Sequence, residues 1–221
     1  MISLLLCREG GMSEAANSLV DRANALGIPV VIESEREMRR MSDQAEAPEL
    51  IALEGHSSHS TLDELMGRDG IVFVLVGLRY PGNVGFIIRS AEVAGAAGVV
   101  VASDWEGSQL SEALRVGMRA DRFFPVIESA AELAIAAARR AGRRVVALET
   151  AGAKAPWDAD LTAATVILVG SETMGIPDML LESADDIVRI PTRGFIPSYN
   201  VQAAVGMLLG EWLRQSVGDG T

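Results

Sequence analysis

Polar residues able to bind or transform a small molecule gather in three short stretches of the 221-residue chain. The first, Asn83-Val-Gly-Phe-Ile-Ile-Arg89, sets a guanidinium six residues after an amide. The second, Leu168-Val-Gly-Ser-Glu-Thr-Met-Gly-Ile-Pro177, holds Glu172 between two glycines, and the third, Ile190-Pro-Thr-Arg-Gly-Phe-Ile-Pro-Ser-Tyr-Asn-Val201, carries Ser198 and Asn200 near its end. Gly170 and Gly175 let the backbone turn tightly around a ligand. Thr165 to Val169 reads as a buried strand before them, and Ile187 to Ile190 reads as another strand stopped by Pro191. Gly194 permits one more turn before Ser198 to Asn200 open a long terminal helix. Two loops and a helix N-terminus therefore converge, which suits a small polar ligand. Gly77-Leu-Arg-Tyr-Pro-Gly82 fits neither a dinucleotide fingerprint nor a P-loop, so a phosphate cradle of either kind is not the reading.

Each of these residues also has a simpler role when taken alone. Over residues 84 to 95, Val84, Ile87, Ile88, Ala91 and Gly95 follow the spacing of a buried helix face. Arg89 lies off that stripe, where an arginine ordinarily meets solvent. Asn83 precedes the helix as an N-cap, and Ser198 does the same for the last helix. Glu172 alone is an exposed loop acid.

Together, in this order and at this spacing, the three stretches resemble the three motifs of SpoU/TrmH-type RNA ribose 2′-O-methyltransferases of the SPOUT class, over about residues 70 to 216. The resemblance implies a mostly parallel α/β sheet with a C-terminal trefoil knot, preceded by a small α/β domain. It implies S-adenosyl-L-methionine as methyl donor, held largely by backbone from loops at Leu148, Glu149 and Thr150, at Gly170, and at Ile190, with Ser198 and Tyr199. It assigns catalysis to Arg89 with Asn83, Glu172, Ser198 and Asn200, and implies a homodimer formed through the last helix. Tyr199 stands where the family usually has leucine, which recuts the adenosine pocket. The family proposal makes the arginine a general base, but a guanidinium with a pKa above about 12 is a poor base at neutral pH. A better role for Arg89 is to hold an adjacent phosphate and stabilise the developing alkoxide. The expected reaction is methyl transfer to a ribose 2′-hydroxyl of tRNA or rRNA. Two alternatives stand beside it: a non-catalytic RNA-binding or assembly factor of the same fold, and a methyltransferase acting on a base.

Composition limits the setting. Hydrophobic residues make up 49% of the chain, yet no apolar run approaches the roughly 18 residues of a membrane span. The N-terminus shows neither a basic leader nor a small-residue cleavage site, so a cytoplasmic protein is expected. Cys7 is the only cysteine and lies in an apolar run, which favours a buried thiol. The formal charge of −11 argues against nonspecific nucleic-acid binding. Local field is a separate matter, since arginines gather at 115, 119 and 122, at 139, 140, 143 and 144, and beside the motifs at 79, 89 and 193.

The chain divides, on this reading, into residues 1–54, a linker over 55–69, and residues 70–221. The first part alternates strand Ser3 to Cys7, helix Ser13 to Leu26, strand Pro29 to Ile32, helix Glu35 to Ser42 and strand Leu50 to Leu53. It resembles part of the ribosomal-protein-like (L30e-like) domain that docks RNA in the family. Gly55 to Gly70 lacks a sustained apolar period and contains both histidines, His56 and His59; with one distant cysteine they make no recognisable metal set. From Ile71 strands and helices alternate, the pattern of a parallel sheet of five or six strands.

Overall fold

The computed structural model describes residues 2–42, 44–54, 60–105 and 107–216, and the chain separates into two compact units, Met1–Ser57 and Ser58–Thr221. His56 and His59 lie outside the described residues, as does most of the first half of the expected linker.

In the first unit, β1 (Ile2–Arg8) is central, parallel to β2 (Val30–Glu33) and antiparallel to β3 (Leu50–Glu54). Helix α1 (Glu14–Ala25) begins at Ser13, whose hydroxyl accepts from the Ala16 N–H; α2 (Glu35–Arg40) begins at Ser34, whose hydroxyl accepts from Glu37. These side chains satisfy amides that a helix start leaves unpaired. Cys7 packs with Leu5 and Ala23, and burial raises its thiol pKa, so it is core and not nucleophile.

The second unit starts earlier than residue 70. Thr61 and Glu64 form a reciprocal capping box at the start of α3 (Leu62–Met66), whose Leu65 and Met66 are buried. The stretch expected to be linker is therefore folded over this part, because a Thr-x-x-Glu signal followed by Leu-Met is enough to start and bury a short helix. Strands β4 (Val72–Val76), β5 (Gly98–Ala102), β6 (Val126–Glu128), β7 (Arg144–Leu148), β8 (Thr165–Gly170) and β9 (Asp186–Val188) make one sheet in the order β6-β5-β4-β8-β7-β9. Every neighbouring pair in it is parallel.

Helices cover both faces, which is why these strands read as continuous aliphatic runs. Phe73 and Leu75 of β4 face a cluster that includes Ile87 of α4 (Pro81–Val93), Ala113 of α5 (Gln109–Val116) and Val205 of α8 (Val201–Ser216). Val72 and Val74 face the opposite cluster, with Leu65 of α3, Ala134 of α6 (Ala131–Arg140) and Leu180 of α7 (Asp178–Glu182).

The arginines of residues 139–144 belong to this architecture. Arg139 pairs with Asp185, Arg140 with Asp63 and Arg144 with Asp186. Arg143 is only 2% exposed, and its guanidinium donates to the carbonyls of Met66, Gly70, Thr165 and Arg68. It ties the turn after α3 to the starts of β7 and β8, so the basic cluster expected there is structural and offers no groove of free charge.

Candidate active site

In a parallel sheet the loops at the carboxyl ends of the strands lie together, and neighbouring strands bring their loops side by side. The order β4-β8-β7-β9 does this for the loops that follow all four strands. Between the loops that follow β7, β8 and β9 lies a cleft of about 480 Å³. One wall is Leu148 to Ala151 after β7, another is Val169 to Ile176 after β8, and a third comes from Ile190 and Pro197 to Tyr199. Leu148, Glu149, Thr150, Gly170, Ile190, Ser198 and Tyr199, the residues expected at the cofactor, all line it, and so does Glu172.

The loop after β8 is tightly closed. Ser171 and Gly175 form an antiparallel bridge, the Gly175 N–H donates to the Ser171 carbonyl at 2.9 Å, and the Met174 N–H donates to the Ser171 hydroxyl at 3.1 Å. A Cβ on Gly170 would stand 2.3 Å from the Gly175 carbonyl carbon, so only glycine fits where the loop doubles back.

Asn83 corrects one expectation. Helix α4 begins with Pro81 at its first position and Tyr80 as its cap, so Asn83 sits inside the first turn and caps nothing. Its amide is thereby free to face across the sheet. Asn83 Nδ2 donates to Glu172 Oε1, and Asn200 Nδ2 donates to Asn83 Oδ1 at 3.4 Å. Residues 83, 172 and 200, from three separate elements, thus form one hydrogen-bonded row at the rim of the cleft. Asn200 also starts α8, its Oδ1 accepting from the Gln202 N–H at 3.0 Å. That is the capping task expected of Ser198, which instead lines the cleft with no hydrogen-bond partner among the described residues.

Arg89 stands apart from this row. It lies six residues beyond Asn83, about 9 Å along the helix axis at the usual rise. It is exposed, on the same outer face of α4 as Phe86, Ser90 and Val93, and no hydrogen bond or ion pair to a described residue holds it. Tyr199 is 41% exposed, and its hydroxyl donates to the Pro191 carbonyl at 3.4 Å, spanning its own loop.

The base of the site is braced by charge. Asp186, at the start of β9, bonds Lys154 and Arg144, and these two cations, Lys154 first, hold its carboxyl below the usual aspartate range. The Arg139 hydrogen bond does the same for Asp185. Sequence reasoning passed over Thr173, Met174 and Ile176 as lining residues and the side chain of Glu149 altogether. Their signal was position alone, between the two glycines of the loop and directly after β7.

The family model described as "SpoU rRNA Methylase family" matches residues 70–210. The chain belongs to the SpoU rRNA methylase family. Among relatives, it is 33% identical to the 23S rRNA (guanosine-2′-O-)-methyltransferase RlmB of Pseudomonas syringae over 159 residues, 70% of this chain and 63% of that protein. It is 27% identical to RlmB of Coxiella burnetii over 217 residues, 96% of this chain and 87% of that one. Among solved structures, the AdoMet-bound rRNA methyltransferase of Sinorhizobium meliloti superposes with a TM-score of 0.66 at 26% identity, covering 96% of this chain and 80% of that one. The family match over residues 70–210 includes the whole cleft and the segments bearing Asn83, Glu172 and Asn200.

Proposed function

We propose that this protein transfers a methyl group from S-adenosyl-L-methionine to a ribose 2′-hydroxyl of rRNA or tRNA. The observation that carries the reading is the hydrogen-bonded row of Asn200, Asn83 and Glu172 at the rim of a cleft walled by three loops. Relatives named as guanosine-2′-O-methyltransferases and an AdoMet-bound neighbour support it. The cleft fits such a donor in size, within the roughly 300–1,000 Å³ typical of small-molecule sites. Its fit in charge is more telling. Glu149 and Glu172 line it and no lysine or arginine among the described residues does, which disfavours a phosphate-rich nucleotide and favours a ligand carrying positive charge.

When bound there, the donor supplies an electrophilic methyl group. Leu148, Thr150, Gly170, Ile190, Ser198 and Tyr199 would hold it, mostly through backbone, with Glu149 setting the loops around it. Glu172 and Asn200 orient the Asn83 amide, and the fixed amide with the free Ser198 hydroxyl places the acceptor ribose. Arg89, unpaired on α4, holds the neighbouring phosphate and offsets charge on the attacking oxygen. Such preorganised donors strengthen where charge develops and cost no rearrangement at that moment. RNA approaches over arginines that are exposed and unpaired among the described residues, Arg79, Arg89, Arg115, Arg189 and Arg193.

The finer architecture belongs to the same proposal. We infer a trefoil knot in which the β7–β8 connection encloses the chain leaving β9. In support, a Cβ on Gly152 would stand 2.6 Å from the Val188 carbonyl carbon, the Arg189 N–H donates to Lys154 at 2.8 Å, and Gln215 of α8 bonds Ala159 and Leu161 on that connection. The first unit is proposed to dock RNA by shape and hydrogen bonding. Field is not its means, since residues 1–57 hold five arginines against ten acidic residues, and among the described residues three of those arginines are ion-paired. No helix among the described residues is long and apolar enough to cross a membrane, and a cytoplasmic site of action is proposed.

The test is incubation with labelled S-adenosylmethionine and bulk RNA, followed by nuclease digestion and nucleoside analysis. Label in 2′-O-methylnucleosides is the expected result. Label on a base would move the acceptor, and no label with retained RNA binding would make the protein an assembly factor.

A further inference from the structure

Glu149 follows β7 directly and touches every wall of the cleft except the last. Its backbone N–H donates to the Val188 carbonyl at 2.9 Å, which fixes the residue against the end of β9. Its side chain then reaches in two directions. Oε1 accepts from the Thr150 N–H at 2.7 Å and the Thr150 hydroxyl at 3.0 Å, closing its own loop. Oε2 accepts from the Ile176 N–H at 3.2 Å, at the far end of the loop after β8. Gly175 makes room for this contact, because a Cβ there would stand 2.7 Å from Oε2. No other hydrogen bond between described residues links the loop at 149–151 with the loop at 170–176; below them the two are joined only through the pairing of β7 with β8.

We propose that the Glu149 carboxylate is a clamp that sets the spacing of the two loops and so positions the cofactor cleft, without itself entering the chemistry. The inference rests on the methyltransferase reading above. A carboxylate suits the task because it offers two oxygens and several lone pairs to N–H donors lying on opposite sides, which neither an amide nor a hydroxyl can match. A clamp of this kind acts on cofactor affinity. It leaves the row of Asn200, Asn83 and Glu172 intact, so turnover at saturating cofactor persists.

The test uses the full chain with calorimetric S-adenosylmethionine binding and steady-state methylation of RNA. Glu149→Ala should raise both the cofactor Kd and its KM by about tenfold or more, as expected when charged hydrogen bonds are lost, while kcat and the KM for RNA shift by less than about threefold. Glu149→Gln keeps one acceptor and should fall between; it also serves if the alanine variant does not fold. Cofactor affinity unchanged in a folded variant, or a fall in kcat with cofactor KM unchanged, overturns the clamp. Failure of the wild-type protein to bind S-adenosylmethionine would overturn the methyltransferase reading as well, and is seen in the same titration.

Discussion

Asn83, in the first turn of α4, donates a hydrogen bond to Glu172, in the loop after β8, across 89 positions of sequence. Strands β4 and β8 are neighbours, so a helix that follows one and a loop that follows the other meet at the same end of the sheet. Asn200 adds the N-terminus of α8 to the same contact. Three elements far apart in sequence are thus set in register by one amide.

Asn83→Ala should therefore cost activity far more than stability. Asn83 is half-buried and its bonds are near the surface, so the loss of stability should stay within about 1 kcal/mol. Misplacing reacting groups by an ångström can cost about a hundredfold in rate. Asn83→Asp is the sharper variant. It keeps the acceptor for Asn200, but it replaces the donor with a carboxylate facing Glu172, so it should be no better than alanine. Single-turnover methylation at saturating RNA and cofactor measures this; an active aspartate variant would remove the pairing from the mechanism.

Much of this site was legible before any coordinates, and the reasons are local. Glycines at 170, 175 and 194 between aliphatic runs marked the loops, and those loops do wall the cleft. What failed depended on where an element begins or what lies across from it. Pro81 starts α4 two residues before the expected cap, and that shift alone turns Asn83 from a capping residue into a tertiary contact. Arg143 sits in a run of four arginines that sequence cannot separate, yet it is buried while its neighbours are paired at the surface. The clamp at Glu149 joins residues 27 apart across two strands, and no spacing rule signals that. Strand order is likewise invisible to periodicity, since the central strands β4, β5, β7 and β8 are buried on both faces and read alike.

Arg143→Ala should destabilise the second unit by roughly 3 kcal/mol or more, because it leaves several buried carbonyls without a donor. Arg143→Lys should recover little: one ammonium cannot reach carbonyls that the planar guanidinium serves at 2.7 Å in two directions. Urea midpoints at constant m-value would show it. An alanine variant with wild-type stability would mean that water replaces the guanidinium at no cost.

Acid should weaken the same unit through Asp185 and Asp186. Both carboxyls are held below the ordinary value, the first chiefly by Arg139 and the second chiefly by Lys154. A depressed folded pKa contributes stability above the unfolded value, near 3.9, and that contribution is lost as pH falls below it toward the folded value. Lys154 is 50% exposed, so solvent screening limits the effect, and Asp186→Asn should cost only about 1 kcal/mol at neutral pH. The variant should show a shallower decline in stability as pH falls below about 4. Equal slopes for variant and wild type would assign the acid limb to other groups.

Helix α8 should bring two copies of the chain together. Val201, Val205, Leu208 and Trp212 are buried within the unit, while the opposite side presents Ala203, Gly206, Met207, Gly210 and Leu213 to solvent. Phe86 and Val93 on the outer face of α4 are exposed as well, and α4 packs directly on α8. A helix apolar on both sides is ordinarily covered on both sides. Small residues at 203, 206 and 210 would let a partner helix approach closely, and burying a few such side chains at about 25 cal/mol per Å² is a substantial drive to association. Light scattering at micromolar concentration should give twice the chain mass. Met207→Arg places a charge in the middle of this face without touching the cleft, and should shift the mass toward monomer. A monomer in the unsubstituted protein would leave the second apolar side of α8 without its proposed cover.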